Sequence, residues 1–446
     1  MIEGLGPQVI TILMMAALLI GVFTGYPLGI VVGAVGLIFG LLLYGPSVYQ
    51  MIYARAVDGM LLNYTFLAVP LFIFMGLMLE RSGIATELYD ALYLWLGGFR
   101  GGLAIVTILI GTIMAATVGI IAASIAMLAI VALPSMVKRG YDKGLASGSV
   151  CAGGCLGILI PPSVMLVLYG PVAQLSVGKL FFAAFMPGFL LSTLYCTYIA
   201  IRAVLQPSCA PAVPAEERSM PFAIKTRMLL KSLVPPALLI LSVLGVIFLG
   251  IAPPTEAAAV GAFAATLLVA AYRKLSLQVL KQVTTEVLRI VGLIALVVMM
   301  ALVFVGVFIG AGGGDVAKEV ILSAPGGRWG SFAVIMLMVF LLGFVMDWIG
   351  IVFLLVPIVT PIGAALGFNP LWFAMMICVN FQMAFMTPPF APGIFWVQGT
   401  APKELGVTLS DIIKGVLPFV VLIMIGLGLL IAFPEIILWL PGQMIR

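Results

Sequence analysis

Two adjacent prolines interrupt a long apolar run at Leu156-Gly-Ile-Leu-Ile-Pro-Pro-Ser163, and the interruption returns at Met383-Ala-Phe-Met-Thr-Pro-Pro-Phe390. A proline inside a helix removes one amide donor and pushes away the carbonyl four residues earlier. Each pair therefore releases carbonyls, near Gly157 and Ile158 in the first run and near Ala384 and Phe385 in the second. In hydrocarbon such groups are too costly to leave unpaired, so a helix broken this way persists only where it is buried in protein or lines a cavity. The surroundings repeat as well: Pro134, Gly140 and Pro161 are answered by Pro361, Gly367 and Pro388 at one constant offset, with no gap needed between them. Breaks at matching positions of two halves of a membrane chain point to the binding site of a transporter.

That argument needs a bilayer, and the composition supplies one. The 446 residues are 64% hydrophobic and 8% charged, with a mean hydropathy of +1.30, against roughly 25% charged residues in a soluble domain. Apolar runs of about 17 to 25 residues, the length that crosses hydrocarbon, recur along the whole chain. The expected fold class is an all-α polytopic membrane protein. Met1 to Gln8 carries only Glu3, so no basic segment precedes the first apolar run and that helix is expected to stay. The chain has no histidine, and no nucleophile is paired with a base, so an enzyme is not expected. Cys151 and Cys155, at helical i, i+4 spacing, read as small packing residues. The net charge of +5 follows from loop charges and calls for no nucleic acid.

The chain divides into a first half, 1–206, a polar cytoplasmic linker, 207–228, and a second half, 229–446. Three spans open the first half, the last over 65–80, followed by an amphipathic stretch at 84–97 that suits an interfacial helix. Residues 102–137 read as a re-entrant hairpin, because only Thr117, Val118 and Gly119 separate two short apolar arms. A broken helix near 143–170 and a closing span follow. The second half repeats the plan, with a hairpin near 328–365 tipped by Val345-Met-Asp-Trp-Ile349 and a broken helix near 370–398. If the hairpins re-enter, each half crosses five times, an odd number, and the second half is inverted. With the linker in the cytoplasm, every Lys and Arg except Arg55, Lys179, Lys318, Arg328 and Arg446 lies inside, which the positive-inside bias favours.

Ala116-Thr-Val-Gly-Ile-Ile-Ala-Ala-Ser124, Leu133-Pro-Ser-Met-Val-Lys-Arg-Gly-Tyr-Asp142, Leu156 to Ser163, Pro254-Thr-Glu-Ala257 and Met386-Thr-Pro-Pro389 together resemble the large membrane subunit of TRAP transporters, in order and over nearly the whole chain. The resemblance implies an elevator-type, Na⁺-coupled secondary transporter for organic acids in the bacterial inner membrane. It implies two partners, a small four-helix membrane subunit and a periplasmic substrate-binding protein. Na⁺ would be the coupling ion, and no cofactor is implied. Where many members carry Ser-Gly-Ser-Ser at the first tip, this chain has Val118, Gly119, Ile120 and Ile121; Thr117 and Ser124 flank the tip and stand in for the missing hydroxyls. A carrier that works without a binding protein, or an ion channel, are the alternatives.

The candidate site residues follow from these readings. Asp347 is an acid inside an apolar run, costing at least about 2.5 kcal/mol at a helix centre, and is either a cation ligand or a hairpin-tip cap. Thr387 and Ser163 beside the breaks are cation ligands or bond back to freed carbonyls. The cation set is thus Thr117, Gly119 and Ser124 at the first tip, Gly157, Ile158 and Ser163 at the first break, and Asp347, Ala384, Phe385 and Thr387 in the second half. Asn380 and Gln382, before the second break, carry amides that suit a substrate or an interhelical hydrogen bond. Trp348, Ser163 and Tyr169 are further candidates for the cavity wall.

Overall fold

The computed structural model describes residues 5–118 and 121–444, without the side chains of 116–118 and Arg218. Among the described residues the regular structure is entirely helical. Among the described residues, eight helices are long and apolar enough to cross a bilayer, or nine if one bent pair counts as a span.

Helices α1 (Pro7–Phe23) and α2 (Leu28–Tyr44) open the chain. After Gly45, at φ 54°, α3 (Val48–Ala56) continues into a π-helical turn, Val57–Leu61. Helix α4 (Ala68–Ser82) follows, and α5 (Ile84–Leu96) is the amphipathic stretch; it buries Ile84, Leu88 and Leu94 while Glu87 and Asp90 stay outside. The first hairpin consists of α6 (Gly102–Val118) and α7 (Ile121–Lys138), and the first broken helix of α8 (Lys143–Cys155), a 3₁₀ turn at Leu156–Ile158, and α9 (Val164–Val172). Helix α10 (Val177–Leu205) closes the half.

In the second half, α11 (Phe222–Phe248), α12 (Pro254–Ala271) and α13 (Leu277–Gly310) precede the short α14 (Gly313–Leu322). Helix α15 (Gly327–Leu342) pairs with α16 (Trp348–Leu354) and α17 (Val356–Ala365), which meet at a 55° bend. The second break lies between α18 (Pro370–Met386) and α19 (Pro392–Thr400), and α20 (Leu409–Ala432) and α21 (Glu435–Gly442) end the chain. The offset that separates the paired prolines also holds for the helices: α16 and α17 together, Trp348–Ala365, match α7 at both ends, and the start of α18 matches the start of α8.

The halves exchange partners. Helix α2 lies on α13, where a β-carbon on Gly36 would stand 2.9 Å from Phe304 Cα, and α12 lies on α4, with Gly261 against Met75. From these pairs, α13 packs on α16 of the second hairpin, and α4 on α6 and α9 of the first half. Helix α8 is almost all small residues (KGLASGSVCAGGC), and every residue from Leu145 to Cys155 is buried. Small residues let helix backbones approach in a bilayer, where apolar burial alone gives no drive to associate. A β-carbon on Gly148 would lie 2.2 Å from the Gly415 carbonyl oxygen on α20, and one on Gly111 of α6 would lie 2.5 Å from that of Gly153.

The stretch joining the halves is shorter than the sequence suggests and, though most of it is exposed, it is tied down onto the first half. Helix α11 begins at Phe222, inside the expected linker, because Pro221 is tolerated just ahead of a helix start. The remaining segment is strapped across the bases of the first hairpin and broken helix. The Gly101 amide donates to Ala210 O (3.0 Å), the Asp142 amide to Cys209 O (2.8 Å) and the Val213 amide to Gly97 O (2.8 Å). Ala210 and Val213 are buried. Glu217 accepts both guanidinium arms of Arg139 and, at 3.2 Å, the Tyr93 hydroxyl; Arg139 also lies over the Tyr93 ring. The Arg139 bond holds the Glu217 carboxyl below the usual glutamate range. Arg202 reaches Asp142 at 3.2 Å.

Candidate functional site

Where the two hairpin ends meet the first break and α19 there is a half-open cavity of about 140 Å³. The start of α7 gives it Ile121 and Ala122, and the first break gives Ile158 and Val164. From the second half come Asp347, Trp348 and Ile349 at the hairpin tip and Trp396 on α19. Ile73 of α4 and Ile290, Leu293 and Ile294 of α13 close it from the surrounding helices. A larger groove of about 350 Å³, between Met60–Pro70 and Val291–Ala295, adjoins it through Ile294, which lines both.

Asp347 is the N-cap of α16, with extended backbone (φ −70°, ψ 159°). Its carboxylate interacts with the Trp348 amide and does not bond to the next turn of the helix. Among the described residues no Lys or Arg pairs with it, and no other acidic or basic side chain lines the cavity. Asp347 thus sits at the expected hairpin tip, at the N-cap position of α16 but without a side-chain cap hydrogen bond, and its carboxyl lines the cavity.

The breaks manage their freed carbonyls with hydroxyls. Both Pro-Pro bonds are cis, at Pro161-Pro162 and Pro388-Pro389. Ser163 is the N-cap of α9: its hydroxyl donates to the Ile158 carbonyl and accepts from the Leu166 amide at 3.5 Å. Thr387, at the end of α18, donates to Met383 O at 2.7 Å. Each hydroxyl spends its proton on the backbone, and its oxygen keeps acceptor capacity. Gly157, Ala384 and Phe385 are buried beside these breaks, and the Phe385 carbonyl lies against Gly393.

The remaining candidates scatter. Ser124 is buried one turn into α7, on the face of Ile121, and its Oγ has no partner. Thr117, as a side chain, and Gly119 lie outside the described residues. Asn380 is buried away from the cavity and donates through Nδ2 to Met336 O on α15, at 2.7 Å. Gln382 is fully buried with both amide atoms unpartnered, and it too does not line the cavity. Tyr169 is buried beside Thr360 and Cys378. Trp396 and the walls from Ile73, Ile290, Leu293 and Ile294 are the cavity-lining positions that the sequence reading missed.

Two helix pairs and two broken helices around one cavity with a single carboxylate define a polytopic membrane permease. The model of the tripartite ATP-independent periplasmic transporter, DctM component, matches residues 12–436, and the chain belongs to this family of TRAP transporter large permeases. It is 31% identical over 381 residues to the C4-dicarboxylate TRAP transporter large permease DctM of Pseudomonas aeruginosa, covering 85% of this chain and 87% of that one. It is 28% identical over 423 residues to the sialic acid TRAP transporter large permease SiaM of Vibrio cholerae, covering 94% and 95%. The fold is shared with the crystal structure of the YdaH transporter of Alcanivorax borkumensis, at a TM-score of 0.62 and 15% identity over 89% of this chain and 90% of that one.

Proposed function

We propose that this permease is the large membrane subunit of a Na⁺-coupled secondary transporter that imports organic acids across the bacterial inner membrane. The observation that carries the reading is the cavity where both hairpin ends, the first break and α19 converge, with Asp347 as the one charge among its described lining residues. A carboxylate in a low-dielectric site needs a partner. With no Lys or Arg on the wall, a coupling cation is the partner that fits. Among the described residues no cluster of His, Cys, Asp or Glu suits a transition metal, whereas carbonyl and hydroxyl oxygens at the breaks suit Na⁺. The two halves act as inverted repeats. The hairpins and broken helices move as an elevator against the frame of α2, α4, α12 and α13. A small four-helix membrane subunit completes the frame, and a periplasmic binding protein delivers the substrate.

The test is reconstitution in liposomes with the small subunit. Uptake of an organic acid that requires both an inward Na⁺ gradient and the binding protein is expected. Uptake indifferent to Na⁺ would remove the coupling, and full uptake without the binding protein would leave a carrier that works alone.

A further inference from the structure

We propose that the cavity selects a monocarboxylate with a compact apolar body, such as an aromatic ring or a short branched chain, over dicarboxylates and polyhydroxylated acids. This rests on the transport reading above and names its substrate class. The wall is the reason. Apart from Asp347, the described lining consists of Ile, Leu, Val, Ala and Trp side chains, so the side-chain donors it offers are the indole N–H groups of Trp348 and Trp396. Hydroxyls on a ligand would leave water without finding partners, which is unfavourable for each group so stranded. A second carboxylate, with Asp347 already taken up by the coupling cation, would leave water on a wall whose described residues include no basic side chain.

A single carboxylate fares differently. Helices α7 and α9 both begin at this cavity, through Ile121 and Val164, and a helix N-terminus favours an anion. One carboxyl turned toward these ends leaves the rest of the ligand against Ile73, Ile158, Ile294 and the two tryptophans. The size agrees. The cavity holds about 140 Å³, close to the ~150 Å³ of an engineered apolar cavity that takes benzene. Trp348 and Trp396 are half-buried, so both report occupancy by fluorescence.

The purified permease, in detergent at constant NaCl, is titrated with benzoate, 4-methylpentanoate, succinate and N-acetylneuraminate, reading tryptophan fluorescence and thermal unfolding. Benzoate and 4-methylpentanoate are expected to bind at least about tenfold more tightly than the other two, the scale of discrimination an apolar pocket supplies. Trp396→Ala should weaken benzoate binding by a similar factor. Leu293→Asn, which puts an amide on the cavity wall, should narrow the preference, with thermal unfolding of the unliganded variant checking that it folds. Succinate or N-acetylneuraminate binding as tightly as benzoate, or no binding of any probe, overturns the assignment. If Na⁺-driven uptake of some organic acid persists in liposomes in either case, the transport reading stands without it; if no such uptake exists, both fall.

Discussion

The two broken helices occupy matching places in the two halves and are built from different material. Helix α8 is small and smooth, and its glycines bring α6 and α20 to backbone contact at Gly111–Gly153 and Gly148–Gly415. Helix α18 carries bulky side chains, MMICVNFQMAFM, over its central and last turns. Where α8 has Gly153, α18 has Asn380, whose amide crosses to Met336 O on α15. The same chain path is thus closed by absence of side chains in one half and bridged by side chains in the other. The tips differ in the same sense: Ile121 and Ala122 at the first, the unpaired charge of Asp347 at the second. Repetition of backbone breaks does not carry repetition of chemistry; the helix before the break packs by close backbone approach in the first half and by bulky side chains and an amide in the second.

The largest effect expected from this contrast is at Gly148. Gly148→Val sets a side chain against the Gly415 backbone, which cannot yield as a flexible side chain would, and should cost about 3 kcal/mol. Met375→Leu, at the equivalent buried position of α18, should cost less than about 1.5 kcal/mol. Thermal unfolding in detergent compares the two; equal losses would erase the difference in packing.

Charge comes next. Asp347→Asn should raise the half-saturating Na⁺ concentration for uptake about tenfold, equivalent to about 1.4 kcal/mol, and Ser163→Ala should move it much less. Initial uptake rates against Na⁺ decide this, and an unchanged midpoint in Asp347→Asn takes the residue out of the cation site.

The hydroxyls at the breaks sharpen the comparison, because here the halves should agree. Ser163→Ala frees Ile158 O, and Thr387→Val frees Met383 O; each should lower stability by about 1 kcal/mol. A loss confined to one variant would mean that only one break depends on its hydroxyl. Asn380→Ala should have the smallest effect, about 0.6 kcal/mol, typical of an interhelical hydrogen bond inside a membrane protein. A loss several times larger in unfolding assays would give this amide a role beyond joining α15 to α18.

What the sequence made legible was governed by local backbone rules and by contrast against an apolar background. Prolines located both breaks because a missing amide acts on the chain that carries it, wherever the helix packs. Asp347 stood out because an acid among Val345, Met346, Trp348 and Ile349 has no neighbour like it. Ile73, Ile290 and Ile294 did not, since an isoleucine facing a cavity reads the same as one facing lipid. The strap was hidden for a related reason. Ala210 and Val213 sit in a proline-rich stretch, and only the bonds from Gly101, Asp142 and Gly97 reveal that they are held down. Asn380 and Gln382 were legible as polar residues in an apolar helix, but their directions depend on helix rotation, which places Asn380 against α15 and leaves Gln382 buried without partners.

The contact between Gly148 and Gly415 also fixes an order of events during biosynthesis. At roughly 5–20 residues per second, a ribosome needs on the order of tens of seconds to travel from one glycine to the other. Throughout that interval the smooth face of α8 has no α20 to meet. The strap, by contrast, follows α10 directly, and the residues it bonds, Gly97, Gly101 and Asp142, are all made before it. A newly made chain therefore holds one of its closest backbone contacts open until its final long helix has been made.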